Sequence, residues 1–242
     1  MHRIPDTIKH LIIINIIVFV VPQLLQLDLT NIFALHYTEN PHFSLWQYVT
    51  HLFMHGSFMH IAFNMYALWA FGAPLEQMWG KNKFLFFYFS AGIGAGLIYT
   101  LANYYQFSTV YDQLIQLGVS ANEIQQILNT GSYDSALIDI PNKDMSSFYS
   151  VYHSPAVGAS GAVYGILVAF GLAFPNAKLA LIFFPVPIAA KYFIPVLILG
   201  DVFFGVTSYS VGNIAHFAHI GGALIGFIIA WYWKRNQFHY TN

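Results

Sequence analysis

Cysteine is absent from all 242 residues, which removes disulfides, thiolate metal sites and a cysteine nucleophile together. Charge is nearly as scarce. Only 8% of the residues are Asp, Glu, Lys or Arg and the formal net charge is −1, so the chain lacks the basic surface that nucleic acid requires. It has no His-Glu-x-x-His motif for a zinc hydrolase. What fills the sequence instead is apolar, 57% hydrophobic with 18% aromatic residues, a composition foreign to ordinary soluble domains. The expected class is an all-α polytopic membrane protein, with the lipid bilayer as its first partner.

A bilayer core about 30 Å thick needs roughly 20 apolar residues per helix. Six stretches qualify, near 11–27, 59–78, 84–105, 155–174, 191–208 and 213–233. The first follows Arg3 and Lys9 as a signal peptide would, but no small-residue cleavage site succeeds it, so it is expected to be the first helix. The apolar segment 179–190 contains Pro185 and Pro187 and is too short to cross, which predicts an interfacial position. With the N-terminus inside, Arg3, Lys9, Lys81, Lys83, Lys178, Lys191, Lys234 and Arg235 are cytoplasmic and only Lys143 lies outside. That bias predicts six spans with both termini cytoplasmic.

The chain is expected to form one membrane domain over 1–242 with two long outer connections. Residues 28–58 mix Trp46, Tyr48, Phe53 and several histidines, which suits the headgroup layer. Residues 106–154 are the most polar part, and Ser120-Ala121-Asn122-Glu123 within them fits a capping box ahead of a short helix reaching towards Leu128. A connection of that length is uncommon without a purpose. An inserted segment without function and an element that docks substrate or covers a site both stay open.

Two motifs stand out in this apolar background: Gly158-Ala159-Ser160-Gly161 and Ala218-His219-Ile220-Gly221-Gly222. By helix rise, Ser160 lies roughly 8 Å below the outer end of the fourth span and His219 roughly 9 Å below that of the sixth. His60 and Asn64, four apart on one face of the second span, enter near the same depth. A lone membrane serine ordinarily packs or bonds to its own backbone. A membrane histidine, in contrast, usually faces a polar cavity, and the two at one level with further donors point to nucleophilic catalysis in the bilayer. Gly161 with Gly165, and Gly222 with Gly226, form small-xxx-small patterns that let helices approach.

His216 is a rival base, nearly on the face of His219. Asp201, about 15 Å above the inner boundary of the fifth span by helix rise, can approach the sixth helix; a buried polar contact is expected, and a direct role in assisting His219 stays open. It is the lone membrane aspartate, one short of the pair that an aspartyl protease needs. Glu76 lies too deep to orient His219. His51 and His55 have i, i+4 spacing but no acidic companion, which predicts a structural role rather than a metal site.

Together, the run from His51 through His55 and His60 to Asn64, Gly-Ala-Ser-Gly with Tyr164 four residues on, and Ala-His-Ile-Gly-Gly-Ala-Leu-Ile-Gly make the chain resemble the rhomboid family of intramembrane serine proteases. The resemblance implies a six-helix rhomboid-like bundle without a cofactor. It makes Ser160 the nucleophile, His219 the general base, and His60 and Asn64 oxyanion donors joined by the Ser160 N–H. Gly158 belongs to the same oxyanion and substrate-binding side, and Tyr164 packs against the His219 ring. No acidic third member is implied. Substrates would be single-pass membrane proteins, cut in or beside their transmembrane segment after a small side chain. They would be admitted past the fifth helix and the loop 209–213 of an enzyme in a bacterial inner membrane, with a site opening outward. An inactive family member that escorts clients would be expected to lack the serine or histidine, and both are present. Trp46-Gln47 departs from the Trp-Arg common in bacterial members, which touches the bonding of the outer loop and not the chemistry.

Overall fold

The computed structural model describes residues 4–135, 137–181, 184–207 and 216–237; the expected gate loop 209–213 lies outside them. A helix occupies each of the six apolar stretches. Helix α1 is Asp6–Leu24. Phe58–Ala67 (α2) runs through a π turn, Leu68–Gly72, into Ala73–Trp79 (α3). Lys81–Gln116 is α4. Two further helices, Ala121–Thr130 (α5) and Asn142–His153 (α6), precede Ser160–Ala173 (α7). An antiparallel hairpin, β1 Lys178–Leu181 with β2 Phe184–Ala189, pairs Lys178 with Ala189 and Leu179 with Ile188. Ala190–Val206 (α8) and His216–Gln237 (α9) follow.

Asp6–Leu24, Lys81–Gln116 and His216–Asn236 are long and apolar enough to cross a membrane, and Ser160–Ala173 is apolar but shorter. The chain is an integral membrane protein. Ile13, Ile14, Ile16 and Ile17 of α1 and Val196, Leu199 and Phe203 of α8 stand exposed, a surface fit for lipid and hazardous in water. The interfacial segment predicted over 179–190 is the β-hairpin, whose prolines forbid the helix its composition otherwise allows.

The start of α1 is fixed by Glu76, whose carboxylate accepts the backbone N–H groups of Thr7 (3.1 Å) and Ile8 (3.0 Å). These are orphan donors of a helix N-terminus, where negative charge is favoured. The carboxylate near the inner end of the second stretch is therefore a helix cap.

Helix α4 departs from the expected boundaries. Its 36 residues extend about 54 Å, so the part beyond Tyr105 projects past a hydrocarbon core of about 30 Å. There Phe107, Val110 and Leu114 form a second core with Ile124, Leu128, Met145 and Phe148 of α5 and α6. The polar segment read as the connection 106–154 is thus largely helical, capped as its sequence implies: Ser120 Oγ accepts from Glu123 N, and the Glu123 carboxylate accepts from Ser120 N. Only three residues of α5 and four of α6 are buried, too thin a pattern in the sequence to announce a core.

Helices α4, α7 and α9 form the centre, and glycine sets their spacing. A Cβ at Gly222 would overlap the Gly161 carbonyl, one at Gly226 would stand 2.5 Å from Gly165 Cα, and one at Gly165 would stand 2.7 Å from Ala91 Cβ. Backbone therefore touches backbone, the contact that small-xxx-small patterns permit.

Candidate active site

Helix α7 begins at Ser160, not at Pro155 as the apolar run suggests. The preceding residues are extended: Ala156 bridges to Leu35, the Gly158 N–H donates to the His51 carbonyl (2.9 Å), and Gly158 takes φ +123°. Proline at 155 and glycine at 158 are the sequence signals for this late start. Its consequence is that Ser160 occupies the first turn, where the N–H groups of Ser160, Gly161 and Ala162 have no intrahelical acceptor and the helix end is electropositive.

Ser160 Oγ lies 2.9 Å from His219 Nε2. The glycine contacts between α7 and α9 produce this meeting, since Ser160 precedes Gly161 and His219 is one turn before Gly222. The Tyr164 ring stacks on the His219 ring, centroids 4.2 Å apart and planes 9° from parallel. His216, the rival base, turns its Nδ1 to Asp201 Oδ1 at 2.6 Å. The same Oδ1 lies 3.1 Å from His219 Nδ1. Asp201 thus makes the buried contact its position predicts, and makes it with the histidine that faces the serine.

The other expected residues meet at the same place. His60, Asn64, Ser160, Tyr164 and His219 all line one cleft of ≈ 1550 Å³. A Cβ at Gly158 would stand 2.6 Å from His60 Nε2, so the ring lies directly against the backbone before Ser160. Asn64 is buried and its Nδ2 donates to the His60 carbonyl of its own helix (3.1 Å). The cleft continues between Met59, Phe63 and Tyr66 on one wall and Phe193, Leu197 and Phe204 on the other.

The connection over 28–58 supports this arrangement. Gln47 is fully buried: its Oε1 accepts from His36 N, and its Nε2 donates to the carbonyl of His42 at 2.7 Å and lies 3.3 and 3.4 Å from those of Asn31 and Ile32. His51 Nδ1 is 2.7 Å from the Gln47 carbonyl, and the His51 carbonyl holds Gly158. His55 packs edge-on against His60, centroids 5.0 Å apart. Burial pushes both outer imidazoles down to about 4, and His60 adds to the effect on His55. The role of His55, behind a candidate donor, had no signal in spacing alone.

A bundle built on glycine contacts, with a serine at a helix start facing a histidine from another helix, marks a helical membrane protein that holds a hydroxyl and an imidazole within proton-transfer reach. The Rhomboid domain model matches residues 42–122 and 129–236, and the chain belongs to the rhomboid family. It is 29% identical over 182 residues to Rhomboid protein 1, mitochondrial, of Saccharomyces cerevisiae, covering 74% of this chain and 39% of that protein. It is 27% identical over 229 residues to the human Presenilin-associated rhomboid-like protein, mitochondrial, covering 93% and 47%. It is 28% identical over 198 residues to Rhomboid protease AarA of Providencia stuartii, covering 76% and 54%. The chain thus spans about half or less of the length of these relatives.

Proposed function

We propose that this chain is an intramembrane serine endopeptidase that hydrolyses a peptide bond in or beside the transmembrane segment of another membrane protein. The carrying observation is the 2.9 Å separation of Ser160 Oγ and His219 Nε2, the reach that general-base activation of a hydroxyl requires. Ser160 attacks the scissile carbonyl while His219 takes its proton. The oxyanion forms at the N-terminus of α7, beside the Ser160 N–H and the His60 ring, with Asn64 in the same wall. A donor aimed at that charge contributes about 3–4 kcal/mol where water is scarce. His219 then returns the proton to the leaving amine, and water repeats the cycle on the acyl-enzyme.

A helical substrate hides its carbonyls in its own hydrogen bonds, so a locally unwound segment is the form that reacts. The apolar walls of the cleft, Met59 and Phe63 opposite Leu197 and Phe204, suit a lipid-embedded chain that enters sideways past α8. The distribution of basic residues supports six spans and an outward-facing site. Lys83 sits over Trp233 and Lys234 bonds the Leu172 carbonyl, and Lys191, whose backbone N–H donates to the Pro175 carbonyl just past the end of α7, lies at the same end of the bundle. That end is read as cytoplasmic. The membrane is read as a bacterial inner membrane, in line with the similarity to AarA of Providencia stuartii; the mitochondrial names of the yeast and human relatives favour a mitochondrial membrane as the second reading, and cell fractionation separates the two.

The test is reconstitution. Purified chain in liposomes with a single-span protein bearing small residues near its outer boundary should yield two fragments whose new ends mass spectrometry locates in or next to the span. Fragments that persist with Ser160→Ala, or a native chain that leaves a panel of such substrates whole, would remove the proposal.

A further inference from the structure

Asp201 is placed in α8 where no acidic partner is needed for the bundle to pack, yet it is 7% exposed and its Oδ1 is shared by two imidazoles. A carboxylate in a membrane interior is costly unless its lone pairs are used, and here the two histidine Nδ1 atoms use one oxygen, with the Tyr164 hydroxyl a further hydrogen-bonding neighbour. A carboxylate oxygen only accepts. Nδ1 of His219 therefore carries its proton, and Nε2, the atom facing Ser160, presents a lone pair. The other tautomer would aim an N–H at the hydroxyl and leave nothing to take its proton.

We propose that Asp201 is a positioning residue for His219, fixing the tautomer and tilt of the ring that serves Ser160, and that His216 steadies the carboxylate from its second side. The inference rests on the Ser160–His219 reading and adds to it a member that the motifs do not contain. The proton path balances as in a serine triad: Ser160 Oγ gives its proton to Nε2, the imidazolium keeps Nδ1–H on Asp201 Oδ1, and the carboxylate stays ionised throughout. His216 does not substitute as base, because its Nδ1 is spent on Asp201 and its Nε2 is buried with no hydrogen-bond partner among the described residues.

The same three residues could be taken for a cation site, since their ligand atoms lie within 4.8 Å of one another. The 2.6 Å separation of Asp201 Oδ1 and His216 Nδ1 argues against it. Two ligands on one tetrahedral zinc at about 2.0–2.1 Å stand about 3.3 Å apart, and 2.6 Å is a hydrogen bond.

The experiment compares the native chain with Asp201→Leu, which keeps volume and removes every acceptor, and Asp201→Asn, which keeps an acceptor oxygen without the charge. Fluorophosphonate labelling of the full chain reports chemistry at Ser160, and ¹⁵N-histidine NMR reports the proton-bearing nitrogen of His219, assigned through His219→Ala. Asp201→Leu is expected to label about 10²–10⁴-fold more slowly, with KM for a cleaved peptide little changed and the His219 signal showing Nε2–H. Asp201→Asn should recover part of the rate. Less than a tenfold loss in Asp201→Leu, or an unchanged Nδ1–H tautomer, overturns the proposal while leaving Ser160 and His219 in place. A native chain that takes no label overturns the dyad itself, and Asp201's role in the reaction with it.

Discussion

Gly222 and Gly161 meet so closely that a methyl group at 222 would overlap the Gly161 carbonyl. One residue from this contact on α7 is Ser160, and one turn from it on α9 is His219. The proposed reacting pair is therefore brought together by two residues without side chains. Gly222→Ala must part the helices, at a cost of about 1–3 kcal/mol or more for overpacking. Fluorophosphonate labelling is expected to fall at least tenfold with a lower unfolding temperature. Gly200→Ala, where a Cβ meets nothing within 4 Å, should be neutral or slightly stabilising.

Gly158 is constrained twice, by φ +123° and by the His60 ring, 2.6 Å from where its Cβ would stand. Gly158→Ala should remove substrate cleavage by 100-fold or more while circular dichroism and unfolding temperature change little, because the strain falls on the turn before α7 and not on the core. An alanine variant that cuts at the native rate would show that neither the turn nor the His60 ring position matters.

Acid should loosen the outer connection in a defined window. His51 and His55 are held near 4 in the folded chain against about 6.5 when unfolded, so the unfolded state binds more protons between those values. Their contribution is complete above about pH 6.5 and drains as pH falls towards 4, on the order of 3 kcal/mol for each. Unfolding temperature measured against pH should be flat near neutrality and decline through that interval. His55→Phe, which keeps the edge contact with His60, should reduce the slope.

Gln47 holds the carbonyl of His42 and the amide of His36 from a fully buried position. Gln47→Leu leaves these groups without partners, which costs about 1–3 kcal/mol for each buried group stranded. Chemical denaturation should place the loss at several kcal/mol, and activity should fall through His51, whose Nδ1 rests on the Gln47 carbonyl and whose own carbonyl holds Gly158. Equal stability in the leucine variant would mean that water or other side chains satisfy the loop.

The sequence was legible where a pattern has one physical cause. Apolar runs marked the helices, the Ser120–Glu123 box marked the start of α5, and glycines four apart marked the faces that touch. Tyr164, four residues after Ser160, lies on His219 as the family resemblance implies. Three features were less legible. The start of α7 at Ser160 was masked by an apolar run that continues through an extended segment. The helical cap of α4, α5 and α6 was masked by polar residues that outnumber the few it buries. The sharing of Asp201 by His216 and His219 depends on the relative rotation of α8 and α9, which no local spacing encodes. Gln47, the position that departs from the Trp-Arg pattern, is the hub of the loop's hydrogen bonding.

The central claim is that Ser160 is made nucleophilic by His219 within the membrane bundle, and mass spectrometry of the fluorophosphonate adduct tests it most directly. A single adduct is expected on the peptide containing Ser160, formed in the native chain and reduced by about 10²-fold or more in His219→Ala. An adduct on another residue, or one that forms at the native rate without His219, would contradict it.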